Sequence, residues 1–200
     1  MSARDDILGT IRMQRVRSTP RPPQYVPPAP SPDLVTQFAE RARTIHAEVR
    51  VLESESDVAS AVADLLREKN LPAAIHAVPD MALPDLGNTE IESALPGPND
   101  TAISRAPFTI AETGTLAYPA RQNAPASWHF RPGYEIAILR ASDILPHMED
   151  VIARVKADGL PHTINFVSGP SRTADVEQTL ELGAHGPKAL AILIIRLPSP

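Results

Sequence analysis

The sequence predicts an α/β fold with a largely parallel sheet, and three observations carry that prediction. Short apolar, β-favouring runs recur at Ala73–Val78, Glu135–Arg140 and Ala189–Leu197. Between such runs lie stretches with a helical apolar period, the clearest at Asp57–Lys69 and Ser142–Lys156. The last part of the chain reads strand Thr163–Val167, helix Ala174–Leu182, strand Ala189–Leu197. Two apolar strands joined through a helix are expected to pair in parallel by a right-handed crossover.

Taken in order, Asp5–Arg15 is read as a short helix with Ile7, Leu8 and Ile11 on one side. Pro20–Pro32 holds seven prolines in 13 residues, and proline lacks the amide hydrogen that helices and sheet interiors use. That stretch is an extended linker, or an arm lying on a neighbouring surface. Residues 1–32 are thus set apart from an α/β domain over 33–200. From Asp33, Leu34, Phe38, Ile45 and Val49 keep a helical period, and Asp57–Lys69 repeats it with Val58, Val62, Leu65 and Leu66. Strand Ala73–Val78 follows, and Pro79–Pro98 reads mostly as loop. Ala102–Ser104, Phe108–Tyr118 and Glu135–Arg140 are read as strands. In the Ser142–Lys156 helix Pro146 falls in the first turn, with Ser142 or Asp143 as cap. Gly183 suits the left-handed closing position of the last helix.

Composition narrows the partners. Nineteen Lys and Arg against 24 Asp and Glu leave a net charge of −5, which provides no global field for nucleic acid. The chain has no cysteine, so a thiolate-held iron–sulfur cluster or a catalytic thiol has no ligand here. The histidines lack paired metal-ligand spacing, and no metal is expected. No apolar run approaches the roughly 20 residues that span a bilayer. The opening MSARDDILGTIR resembles no secretory or transit leader, and a cytoplasmic protein is expected.

Three stretches carry chemistry. In SGPSRTADVE, Ser168–Glu177, the expected place is the carboxyl end of a parallel strand, with a helix starting near Thr173. Its free amides, the hydroxyls of Ser168, Ser171 and Thr173, and the Arg172 guanidinium would then meet one carboxylate or phosphate. Gly169 would let the backbone come close; the plainer alternative is a cap by Ser171 or Thr173 and a surface pair of Arg172 with Asp175. In AETGT, Ala111–Thr115, Glu112 is either a solvent-facing strand residue or a partly buried acid of raised pKa, suited to general acid–base work. Gly114 suggests a bulge or close approach to a ligand. His185, in the helix-to-strand turn, is expected at the opposite sheet end from Arg172, stabilising the turn or meeting another subunit.

Together, AETGT, the 20-residue SGPSRTADVEQTLELGAHGP at Ser168–Pro187 and the opening SARDDILGTIR resemble the lactate utilization protein C family, with its LUD domain. The resemblance implies a three-layer α/β sandwich like that of sugar-phosphate isomerases and coenzyme A transferases. It also implies a part in oxidising L-lactate to pyruvate, beside two companions that carry the iron–sulfur clusters. Glu112, Thr113, Gly114 and Thr115 match the first motif; Ser168, Gly169, Ser171, Arg172, Thr173 and Asp175 match the second; His185 falls in its closing turn. The chain departs from the family where Glu135 or Tyr134 stands in place of a histidine, and at Arg121–Arg131 with Trp128 and His129.

The favoured expectation is a non-redox accessory component that binds an anionic metabolite through the Arg172 loop, with Glu112 lining the same pocket. The alternatives are a stand-alone enzyme of the coenzyme A transferase or isomerase type, with Glu112 as base or nucleophile, and a regulatory or scaffold protein. A homo-oligomer is left open.

Overall fold

The computed structural model describes residues 3–13, 22–23, 25–79, 81–174, 180–182 and 186–196, with backbone alone at 173–174 and 180–182. In chain order the elements are α1 (Ala3–Met13), α2 (Leu34–Thr44), β1 (Glu48–Leu52), α3 (Val58–Glu68), β2 (Ala74–Ala77), β3 (Glu90–Glu92), β4 (Thr101–Arg105), β5 (Phe108–Ile110), β6 (Thr115–Pro119), α4 (Ser127–Phe130), β7 (Tyr134–Arg140), β8 (Ile144–Leu145), α5 (Met148–Ala157), β9 (Ile164–Val167), β10 (Arg172–Ala174), β11 (Leu180–Leu182) and β12 (Ala189–Ile195).

Six strands form one sheet in the order β1-β12-β7-β4-β2-β3, and every pairing in it is parallel. The α/β fold with a largely parallel sheet is therefore observed. Because strand side chains alternate between faces, the long central strands feed two cores. From β7 and β12, Ile136, Ile138, Ala191 and Leu193 pack on the apolar stripe of α3, including Val62, Leu65 and Leu66. On the other face Ala137, Leu139, Leu190, Ile192 and Ile194 meet Phe38 and Ala42 of α2 and Leu116 and Tyr118 of β6. A second sheet, β8-β5-β6-β9, lies against that face, and Val151 and Val155 of α5 cover its far side at Ile110 and Ala117. Among the described residues no helix is long and apolar enough to cross a membrane.

Several local expectations are corrected. The helix from Asp33 stops at Thr44, where His46 adopts a left-handed φ of 67°, and Val49 belongs to β1. Phe108–Tyr118 is a hairpin, β5 antiparallel to β6, so Glu112 sits in a turn instead of a strand. Ser142–Lys156 is not one helix: a 3₁₀ turn and β8 precede α5, and Pro146 lies before the helix. That order suits proline, which disfavours helical conformation in the residue before it.

The final unit differs most. β9 pairs antiparallel with β6 in the second sheet, while β12 lies between β1 and β7 in the first, so no crossover joins them. A helix is expected over Ala174–Leu182, but the described ends of that span are strands: β10 and β11 pair antiparallel, with Arg172 opposite Leu182. Gly183 and Asp175 lie outside the described residues.

Candidate functional site

β9 runs opposite to β6, and its end delivers Ser168–Arg172 to the amino-terminal edge of the large sheet. There the loop meets the α2–β1 connection (Thr44–His46) and the approach to β12 (Gly186–Pro187) around a cavity of about 490 Å³. Ser168, Gly169, Ser171 and Arg172 all line it, so the sequence motif is gathered as one wall. The physical setting is nonetheless different from the expected one. The loop is at the amino edge, not the carboxyl edge, and it leads into strand β10 (Arg172–Ala174), so the helix expected to start near Thr173 does not start there. The Thr173 side chain, Asp175 and His185 lie outside the described residues. Gly186 and Pro187, which close the His185 turn, face the Arg172 cavity, and the Ser171 amide donates to the Pro187 carbonyl at 2.9 Å. The expected separation of the two motifs at opposite sheet ends is overturned.

Two glycines set this loop geometry. Gly169 has φ 77°, and a Cβ there would press on the Ile45 carbonyl oxygen. Gly114 has φ 69°, and a Cβ there would collide with the α2 backbone at Ala42. Both conformations are strained for residues with a side chain, and both glycines touch the end of α2. The AETGT turn and the Ser168 loop are therefore seated on one template.

That seating also joins their hydroxyls. Thr113 donates to Thr115 Oγ1 at 2.7 Å, and Thr115 Oγ1 and Ser168 Oγ are hydrogen-bonded at 2.8 Å. With Thr115 accepting from Thr113, its own proton is available to Ser168, and when it is given there the Ser168 O–H is left for the cavity. Glu112 points elsewhere and does not line the Arg172 cavity. Its Oε2 lies 2.8 Å from His147 Nδ1, and its Oε1 accepts from the Met148 amide at 3.4 Å, at the start of α5. His147 Nε2 lies 3.0 Å from the carbonyl oxygen of Pro28 in the proline-rich segment. The Glu112 hydrogen bond is the main cause of a raised His147 pKa, with partial desolvation opposing it.

A fourth cluster was missed as a site because its members are scattered in sequence. Glu135 on β7 is fully buried, and its Oε1 receives Ser104 Oγ at 2.7 Å and Tyr118 O–H at 3.3 Å, with His129 Nδ1 at 2.9 Å. Tyr118 and His129 stack with ring centroids 3.6 Å apart, and burial, then the nearby carboxyl group, pushes the Tyr118 pKa well up. A lone acid inside the apolar run Tyr134–Leu139 was the available signal. Among the described residues no group of three His, Asp or Glu side chains is placed to hold a metal ion.

Comparison with known proteins adds to this geometry. Residues 97–195 match the LUD domain model. The chain is 34% identical over 117 residues to "Lactate utilization protein C" of Geobacillus kaustophilus (strain HTA426), covering 56% of this chain and 48% of that protein. It is 27% identical over 186 residues to "Lactate utilization protein C 1" of Bacillus mycoides (strain KBAB4), covering 82% and 79%. Against relatives such as the Geobacillus protein, the matched segment spans about half of the relative's length. A crystal structure of a DUF162 family protein from Deinococcus radiodurans superposes with a TM-score of 0.61 at 16% identity, over 84% of this chain and 99% of that one. That likeness concerns the fold.

Proposed function

The chain belongs to the LUD domain family, and on that premise we propose that it serves lactate utilization as a component without its own redox centre, holding a small carboxylate in the Arg172 cavity. The observation that carries this reading is the wall formed by Ser168, Gly169, Ser171 and Arg172. A planar guanidinium beside hydroxyl donors suits a carboxylate, whose two oxygens accept in one plane. L-lactate adds a neighbouring hydroxyl, which Ser168 can pair with. Oxidation of lactate to pyruvate releases two electrons and two protons. This cysteine-free chain has no thiolates with which to hold an iron–sulfur acceptor, so in this reading the electrons pass to iron–sulfur partner proteins. Its own share is to bind and orient the anion.

Glu112 is assigned no catalytic step, because its carboxylate is engaged by His147 and the Met148 amide outside the cavity. The test is calorimetric titration of the full chain with L-lactate, beside Arg172→Ala. The expected result is measurable binding that weakens about tenfold or more in the variant. Arg172 is exposed, so the fold should be retained. Absent binding, or equal binding by both proteins, would overturn the reading.

A further inference from the structure

Arg172 borders a second compartment. On its other side a hollow of about 180 Å³ is lined by His46, Glu48, Lys69, Tyr134, Arg172 and Lys188, among others. His46, Pro170 and Arg172 line both spaces, so the two share a wall at the amino edge of the parallel sheet. Tyr134 and Ala189 start β7 and β12 side by side there, and Glu48 starts β1.

Two features make this a built recess. Tyr134 is only 4% exposed, yet its hydroxyl has no hydrogen-bond partner among the described residues. A buried hydroxyl without a partner is a cost that a ligand oxygen would relieve. Burial holds its pKa above the usual tyrosine value, so the group stays an O–H able to donate. The second feature is charge. Lys69, Arg172 and Lys188 are set against Glu48, the one carboxylate among the described lining residues. Glu48 already serves Arg50 at 2.8 Å and Lys69 at 3.0 Å. The lining thus keeps an excess of positive charge beside Tyr134, whose buried hydroxyl lacks an acceptor among the described residues. Another hollow of about 260 Å³ also abuts Lys69, Tyr134 and Lys188.

We propose that this compartment receives a phosphate group, and that the preferred ligand is a phosphorylated short-chain carboxylate bridging Arg172, carboxylate on the Ser168 side and phosphate on the Tyr134–Lys188 side. The inference rests on the carboxylate reading of the larger cavity. Phosphate fits the smaller one because it brings more charge and more acceptors than a carboxylate, and lysine binds it as a point charge.

The test is titration of the full chain with 3-phosphoglycerate, L-lactate and inorganic phosphate, using wild type, Tyr134→Phe and Lys188→Gln. Tyr134→Phe keeps the buried ring and removes only the unpartnered hydroxyl, and Lys188 is exposed, so both variants should fold. The expected result is 3-phosphoglycerate binding about tenfold or more tighter than L-lactate, that advantage disappearing in both variants while L-lactate is unaffected. No advantage in wild type, or an advantage that survives both substitutions, overturns the compartment. If L-lactate fails to bind while inorganic phosphate binds in a Lys188- and Tyr134-dependent way, the carboxylate reading fails and the phosphate compartment stands.

Discussion

Nδ1 of His147 lies 2.8 Å from the Glu112 carboxylate while Nε2 of the same ring lies 3.0 Å from the Pro28 carbonyl. A carbonyl only accepts, and an ionised carboxylate only accepts, so the imidazolium form with two N–H groups satisfies both at once. Neutral imidazole has one N–H and must give up one bond.

The first prediction concerns pH. The folded-state pKa of His147 is raised, chiefly by Glu112, above its ordinary value of about 6.5. Its stabilising contribution is therefore complete below that ordinary value and is lost as pH rises through the higher folded value. Limited proteolysis of the segment around Pro28 should be slow at acid-side pH and faster at alkaline pH. Glu112→Gln should bring the His147 titration, followed by NMR, down toward the ordinary value. An unchanged titration in that variant would show that the pair does not hold the ring.

A second prediction concerns the Ser168 loop. In Gly169→Ala the new methyl would press on the Ile45 carbonyl at a backbone φ of 77°. The expected loss is about 3 kcal/mol in urea denaturation, combining backbone strain with overpacking. Loss of the Arg172 cavity should accompany it, read as weakened anion binding even at temperatures where the variant is folded. A variant as stable as wild type would mean that the loop need not rest on α2.

Glu135 supports a third. His129→Ala would remove one hydrogen-bond partner from a carboxyl group of zero exposure, leaving Ser104 and Tyr118 at the same oxygen. About 3 kcal/mol of destabilisation is expected by thermal or urea unfolding, from the exposed need of a buried acid and the lost ring stack. Ser104→Ala, which removes a smaller group, should cost less. Equal and negligible effects would mark the cluster as solvated, contrary to its burial.

The elements that could be read from sequence were those whose signal is local. β7, β12 and α3 declare themselves through long apolar runs or a clear stripe, and they form the centre of the fold. What failed depended on partners far along the chain. Thr163–Val167 looks like any short parallel strand, and only its neighbour Leu116–Pro119 makes it antiparallel. Val49 kept a helical period by coincidence, and β1 became evident through its pairing with β12. The gathering of Ser168, Gly169, Ser171 and Arg172 into one cavity was legible because the residues are adjacent. Which edge of the sheet that cavity occupies was not, since edge is a property of strand order. Tyr134 and Lys188 meet for the same reason, at the starts of two strands that only topology brings side by side.

The place of β12 between β1 and β7 also has a temporal side. Glu48 must find Ala191 across most of the chain, and the strand that closes the sheet emerges from the ribosome long after both of its neighbours. Until then β1 and β7 lack the strand that lies between them and present open backbone edges that invite pairing with other chains. Nascent chains halted before Ala189 should therefore depend on chaperones, and the sheet should form in a late, cooperative step governed by long-range closure.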